Sequence, residues 1–153
     1  MTMDVTLNVN GQEHKLAVEP TETVVSILRN RLELTGTHKD CSMGVCGACT
    51  VLMNGRPVSS CLLLAPQADG QEIRTVESLE HDGKLSPLQE AFLTFGAVQC
   101  GYCTPGFLMT ATALLEENPK PDRGEVIEAL KGNLCRCTGY KKIIEAVESV
   151  VGQ

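Results

Sequence analysis

A chain of 153 residues suffices for one ordinary domain or two small ones, and domains much below 100 residues need metals or disulfides to reinforce a thin core. A net charge of −6 without any Lys/Arg-rich run excludes nucleic acid or an anionic membrane surface as principal partner, and 42% hydrophobic residues with 3% aromatics and no Trp leave the core to Val, Leu, Ile and Ala. No stretch reaches the ~20 apolar residues of a membrane span, and residues 1–6 lack a basic segment leading into an apolar one, so a cytoplasmic protein is expected.

Residues 3–9 alternate apolar and polar as a half-buried strand does, Asn10-Gly11 supplies a two-residue hairpin turn, and residues 12–18 return as the partner. From Thr23, a candidate N-cap, Val24, Val25, Ile27, Leu28 and Leu32 recur at helical spacing until Gly36. Residues 39–49 are too rich in Cys and Gly for regular structure. Thr50 to Met53 is a strand, Asn54-Gly55 a second hairpin turn, and a return strand reaches Cys61, with Gln71 to Val76 a last strand.

Residues 77–86 are mostly polar, as befits a linker, and divide the chain into domains 1–76 and 87–153. Ser86-Pro87-Leu88-Gln89 combines an N-cap, a proline in the first turn and a capping-box partner, which predicts a helix to about Phe95. A second helix runs from Thr104 to Glu117, stopped by Asn118-Pro119. Asp122 with Glu125 opens a third to about Lys131, and Lys141 to Val151 is a fourth. Four short helices without a strand signal suggest a bundle, so the fold class is α+β. Helix, cysteine turn, helix occurs twice between 87 and 151, which would bring four sulfurs to one end of that bundle.

Eight cysteines in a reducing compartment favour metal or redox chemistry over disulfides. Four residues separate Cys41 from Cys46, two separate Cys46 from Cys49 and eleven separate Cys49 from Cys61, the spacing of plant-type 2Fe-2S ferredoxins. Gly44 and Gly47 let backbone N–H groups approach the negative sulfur closely. A structural zinc site, which usually uses two similar short knuckles, is the alternative. For Cys100, Cys103, Cys135 and Cys137 the ligand chemistry leaves both zinc and an iron-sulfur cluster open. A Rieske centre is disfavoured because His14, His38 and His81 stand in no Cys-x-His arrangement, and they are expected on the surface. A thioredoxin-like dithiol lacks its strand-to-helix setting.

The stretches Cys41-Ser-Met-Gly-Val-Cys-Gly-Ala-Cys-Thr50, Gln99-Cys-Gly-Tyr-Cys-Thr-Pro-Gly106 and Gly132-Asn-Leu-Cys-Arg-Cys-Thr-Gly-Tyr140 resemble the three signatures of the small iron-sulfur subunit of the molybdenum hydroxylases, the xanthine oxidase and aldehyde oxidase family. The resemblance implies a ferredoxin-like β-grasp domain followed by a four-helix bundle, and a 2Fe-2S cluster in each cysteine set. It implies that the cluster of Cys100, Cys103, Cys135 and Cys137 lies nearer the molybdopterin of a large partner subunit, with Gln99 and Cys137 touching the pterin. The cluster of Cys41, Cys46, Cys49 and Cys61 then lies nearer the FAD of a medium subunit. For Gln99 a polar helix-end contact within the chain is the alternative. Asp40, Ser42, Met43 and Val45 depart from the Gly or acidic residues that many relatives carry there, so no reduction potential transfers.

The chain has no G-x-G-x-x-G fingerprint, no histidine cluster and no Ser/His/Asp arrangement, so substrate chemistry is expected elsewhere. The expected role is electron transfer within a heterotrimeric molybdenum hydroxylase that oxidises an aldehyde or N-heterocycle. A free-standing ferredoxin-like carrier and a structural zinc protein are the rivals.

Overall fold

A computed structural model describes all residues, 1–153. The N-terminal half carries five strands, β1 (Met3–Val9), β2 (Gln12–Val18), β3 (Thr50–Met53), β4 (Arg56–Ser59) and β5 (Glu72–Arg74), with helix α1 (Val24–Asn30) between the two hairpins. They form one mixed sheet in the order β2-β1-β5-β3-β4, in which β1 and β5 run parallel and the other neighbours antiparallel. Both hairpins turn on Asn-Gly pairs with positive φ, 50° and 80° at Asn10-Gly11 and 51° and 80° at Asn54-Gly55, the backbone that matches the twist of paired strands.

Alternation in β1 buries Val5, Leu7 and Val9 against Val24, Ile27 and Leu28 of α1 and against Val51 and Ile73 of the sheet. Each such side chain contributes about 1.5–3 kcal/mol when fully buried. The second half holds α2 (Pro87–Thr94), α3 (Thr104–Glu117), α4 (Arg123–Leu130) and α5 (Lys141–Glu148). Helix α2 packs on α5, α3 on α4 and α4 on α5 around Phe92, Phe107, Met109, Ile143 and Val147.

The two halves do not merely follow one another. Helix α3 lies on β3, and Leu52 joins the helical core while its neighbour Val51 faces the other side of the sheet. Successive residues of a strand point to opposite faces, so burial of both means that both faces are covered there. The capping boxes form: Ser86 Oγ accepts from Gln89 N at 3.3 Å while Gln89 Oε1 accepts from Ser86 N at 2.9 Å, and Asp122 and Glu125 exchange bonds of 2.9 and 2.8 Å. Each N-cap is worth about 1 kcal/mol.

Several boundaries differ from the sequence reading. Helix α1 ends at Asn30 instead of continuing toward Gly36, because Glu33 turns left-handed (φ 58°) and Leu34 N–H returns to Leu28 O at 2.8 Å. That reversal sends Leu32 and Leu34 back onto the first core. Strand β4 stops at Ser59, two residues short of Cys61, and α5 stops at Glu148, short of Val151. Two 3-10 segments, Ala65–Ala68 and Val76–Leu79, carry no strong sequence signal. The second enters the polar stretch 77–86, where Leu79 is buried in the helical core and Glu77 accepts from Gly36 N at 2.8 Å. No helix is long and apolar enough to cross a membrane.

Candidate metal centres

The first cysteine set is gathered by a coiled loop and a strand end. Ser42, Gly44 and Gly47 have φ of 55°, 70° and 72°, winding residues 41–49 into a tight path. Met43 N and Cys46 N both donate to Cys41 Sγ at 3.4 Å. These N–H groups favour the thiolate and lower the Cys41 pKa to about 6. Beyond the loop, Ser60 fastens to Cys49 O through its own N (3.3 Å) and Oγ (2.6 Å) and so carries Cys61 beside Cys49. Cys49 and Cys61 are buried together with Val25, and burial followed by the neighbouring sulfurs pushes Cys49 up to about 11.

The second set lies at the turns entering α3 and α5. Cys103 is the N-cap residue of α3, and Cys135-Arg136-Cys137 precedes α5. Cys103 lies beside Cys135, and burial followed by that neighbouring thiol pushes it up to about 12. Cys137 lies beside Cys100, and that neighbouring thiol raises its pKa. Burial acts to raise Cys135, but Thr138, donating from Oγ1 (3.0 Å) and N (3.3 Å), together with the Cys137 N–H and the Cys103 thiol outweighs it, and the Cys135 pKa is lowered. Tyr140 takes a left-handed backbone (φ 68°) that turns its hydroxyl to accept Cys135 N–H at 3.1 Å, with its ring edge-on to Phe107 at 6.2 Å.

All eight sequence-predicted sulfurs therefore fall into two quartets, and all are free thiols. Each quartet consists of neighbouring pairs: Cys41 with Cys46 and Cys49 with Cys61, then Cys100 with Cys137 and Cys103 with Cys135. No three His, Cys, Asp or Glu side chains gather as a single-ion site would require. A donor set split two and two fits a two-metal centre, in which each iron takes two thiolates, better than one tetrahedral zinc. N–H and O–H groups aimed at sulfur suit the negative charge such a centre carries.

Gln99 is exposed, as are Cys100 and Cys137, and its amide makes no hydrogen bond within the chain, so the alternative of an internal helix-end contact is not what the structure contains. His38, expected on the surface, does lie there, partly exposed; it stacks on Tyr102 at a centroid distance of 4.5 Å, and its Nδ1 donates to Tyr102 O at 2.7 Å. Tyr102 Oη in turn donates to Lys39 O at 2.8 Å, joining the two cysteine loops. Thr138 and Asn133 were not singled out from the sequence. Their signal there is only a polar side chain one or two positions from a cysteine.

Gly47 takes a second role. An added Cβ there would lie 2.5 Å from Gly132 O and 2.6 Å from Asn133 Nδ2, so this glycine admits the helical half as well as winding the loop.

Residues 7–79 match the 2Fe-2S iron-sulfur cluster binding domain family, and residues 75–148 match the 2Fe-2S binding domain family. The chain is 58% identical to the nicotine 6-hydroxylase small subunit of Paenarthrobacter nicotinovorans, over 99% of this chain and 91% of that protein. It is 51% identical to the nicotinate dehydrogenase small FeS subunit of Eubacterium barkeri, over 96% and 94% respectively. Among solved structures, quinoline 2-oxidoreductase from Pseudomonas putida 86 superposes with a TM-score of 0.93 at 48% identity, covering 96% of this chain and 91% of that one. The aldehyde oxidoreductase of Desulfovibrio desulfuricans ATCC 27774 also gives 0.93, at 41% identity, but there 97% of this chain matches 17% of a much longer one.

Proposed function

The chain belongs to the small iron-sulfur subunits of the molybdenum hydroxylase family of oxidoreductases, and from that premise we propose that it conducts electrons from a large molybdopterin-binding subunit to a medium FAD-binding subunit of one heterotrimer. Cys41, Cys46, Cys49 and Cys61 hold one 2Fe-2S cluster, and Cys100, Cys103, Cys135 and Cys137 hold the other. The observation that carries this reading is the gathering of each cysteine set into neighbouring pairs, with Cys46 N bonded to Cys41 Sγ and Cys49 packed with Cys61 in the first, and Cys103 beside Cys135 and Cys100 beside Cys137 in the second. When bound, a 2Fe-2S cluster supplies reversible acceptance of one electron at a potential set by its surroundings. The protein's own part is to fix the sulfurs, to direct N–H and O–H donors at Cys41 and Cys135, and to leave Gln99, Cys100 and Cys137 exposed for contact with a partner.

On this reading residues 1–76 are the ferredoxin-like β-grasp domain, 77–86 the connection and 87–153 a four-helix cluster-binding bundle. The second cluster faces the molybdopterin, with Gln99 and Cys137 in contact with the pterin, and the first faces FAD. The complex works in the cytoplasm. Its substrate is an N-heterocycle rather than an aldehyde, because the two relatives described above act, by name, on nicotine and nicotinate, and the structure that matches at higher identity on quinoline.

The test is the composition of the purified chain and complex. About four iron and four acid-labile sulfide per chain are expected from two diiron centres. Copurification with two larger chains carrying molybdenum and flavin completes the expectation. Stoichiometric zinc without sulfide would overturn the cluster assignment, and a loaded chain that purifies with neither flavin nor molybdenum would make it a free carrier.

A further inference from the structure

Between the two quartets lies a buried polar joint that involves no cysteine sulfur. Asn133 is 3% exposed and sits two residues before Cys135. Its Nδ2 donates to Gly47 O at 3.0 Å and reaches Thr50 Oγ1 at 3.4 Å, while its Oδ1 accepts from Thr110 Oγ1 at 2.8 Å. The next residue, Leu134, donates its N–H to Cys46 O at 2.9 Å. The backbone carbonyls of Cys46 and Gly47, inside the first cysteine loop, thus anchor the residues that lead into Cys135, inside the second.

Contact across this joint is as close as backbone allows. An added Cβ on Gly106, in the first turn of α3, would lie 2.2 Å from Gly47 O, and one on Gly47 would lie 2.5 Å from Gly132 O. Neither loop can move by an ångström without displacing the other or stranding buried polar groups. Densely packed interfaces of this kind respond as a unit.

We propose that Asn133 is a positioning residue that couples the two quartets, so that occupation of either by its inorganic centre stabilises the other in the geometry that holds metal. The inference rests on the assignment of a 2Fe-2S cluster to each quartet. Filling the first quartet fixes the Cys46 and Gly47 carbonyls, and these fix residues 133 and 134, with Cys135 next in the chain. The same bonds transmit in reverse, as linkage requires. It follows that the two halves do not hold their metals independently.

The test is a double-mutant cycle read by iron release. The full chain is loaded anaerobically and challenged with an iron chelator, and each centre is followed by its own EPR signal after reduction of quenched samples. Cys49→Ala disables the first quartet and leaves every second-quartet sulfur in place. It should speed iron loss from the second quartet about fivefold, the factor that roughly one hydrogen bond's worth of free energy makes. Asn133→Leu should raise that loss by a similar factor, and adding Cys49→Ala to it should raise it no further.

Thr110→Val, which removes the hydroxyl that orients the Asn133 amide, should weaken the coupling, and Thr110→Ser should restore it; this pair serves if Asn133→Leu fails to fold. Iron loss from the second quartet at the wild-type rate in Cys49→Ala overturns the proposal. So does an undiminished Cys49→Ala effect in the Asn133→Leu or Thr110→Val background. A wild-type chain devoid of iron and sulfide after loading would instead overturn the cluster assignment, and the coupling with it.

Discussion

Gly106→Ala sets two effects of opposite sign against each other. Gly106 lies in the first turn of α3 with ordinary helical backbone, and in a helix Ala is favoured over Gly by up to about 1 kcal/mol. Against this, the new Cβ would lie 2.2 Å from Gly47 O, 3.2 Å from Gly47 C and 3.0 Å from Asn133 Nδ2. The opposing atoms are mostly backbone and cannot rotate away, so the halves must separate by about 1 Å to reach ordinary contact. Overpacking of this kind costs about 1–3 kcal/mol, and the stretched Asn133 to Gly47 bond adds about 1. The expected net result is a destabilisation of about 1–3 kcal/mol. Gly132→Ala is the control, since a Cβ there meets nothing within 4 Å and the backbone is not left-handed. Guanidinium unfolding midpoints of the loaded chains, compared at one protein concentration, should rank Gly132→Ala with wild type and Gly106→Ala clearly below. A Gly106→Ala midpoint at or above wild type would refute the account of a steric lock between the halves.

Thr138→Val removes the 3.0 Å hydroxyl bond to Cys135 Sγ but keeps the backbone N–H bond at 3.3 Å. A lost hydrogen bond to sulfur disfavours the more negative reduced centre, so the second cluster's potential should fall by roughly 40 mV, with Thr138→Ser close to wild type, in EPR-monitored titration; an unchanged potential would remove Thr138 from the tuning of that centre. Gln99→Ala removes an exposed amide and no sulfur, so both clusters should assemble with unaltered spectra while pterin retention or substrate-driven reduction in the complex weakens. Unchanged molybdenum content and reduction rate would leave Gln99 without a role at the pterin.

What could be read from the sequence was whatever is decided over a few residues. Asn10-Gly11 and Asn54-Gly55 fix two hairpins by backbone conformation alone, and Ser86 and Asp122 start helices by capping bonds within one turn. The grouping of Cys41, Cys46 and Cys49 belongs with these, because spacing within a loop limits which sulfurs can meet; that Cys100 and Cys103 meet Cys135 and Cys137 was legible only from the repeated helix, cysteine turn, helix order and from the family resemblance. Features settled by distant contacts were not legible. Leu52 reads as one residue of a half-exposed strand until α3 covers it, and Leu79 reads as part of a polar linker although the helical core takes it in. Leu32 reads in the sequence as an extension of α1, but it is the reversal at Glu33 that brings it to the core. Asn133 is a polar residue among many until Gly47, some 86 positions away, proves to be its partner.

The strand order leaves β2 and β4 as the sheet's outer strands, each with one unpaired row of backbone groups. Such rows are templates on which a second polypeptide could extend the sheet. Here β4 is four residues long, begins with Arg56 and contains Pro57, which has no N–H to offer. The longer β2 carries Glu13 and Lys15, both well exposed and 3.5 Å apart as an ion pair. Charge on one border and proline on the other discourage sheet-to-sheet aggregation while the chain waits, newly made, for its metals and its partners.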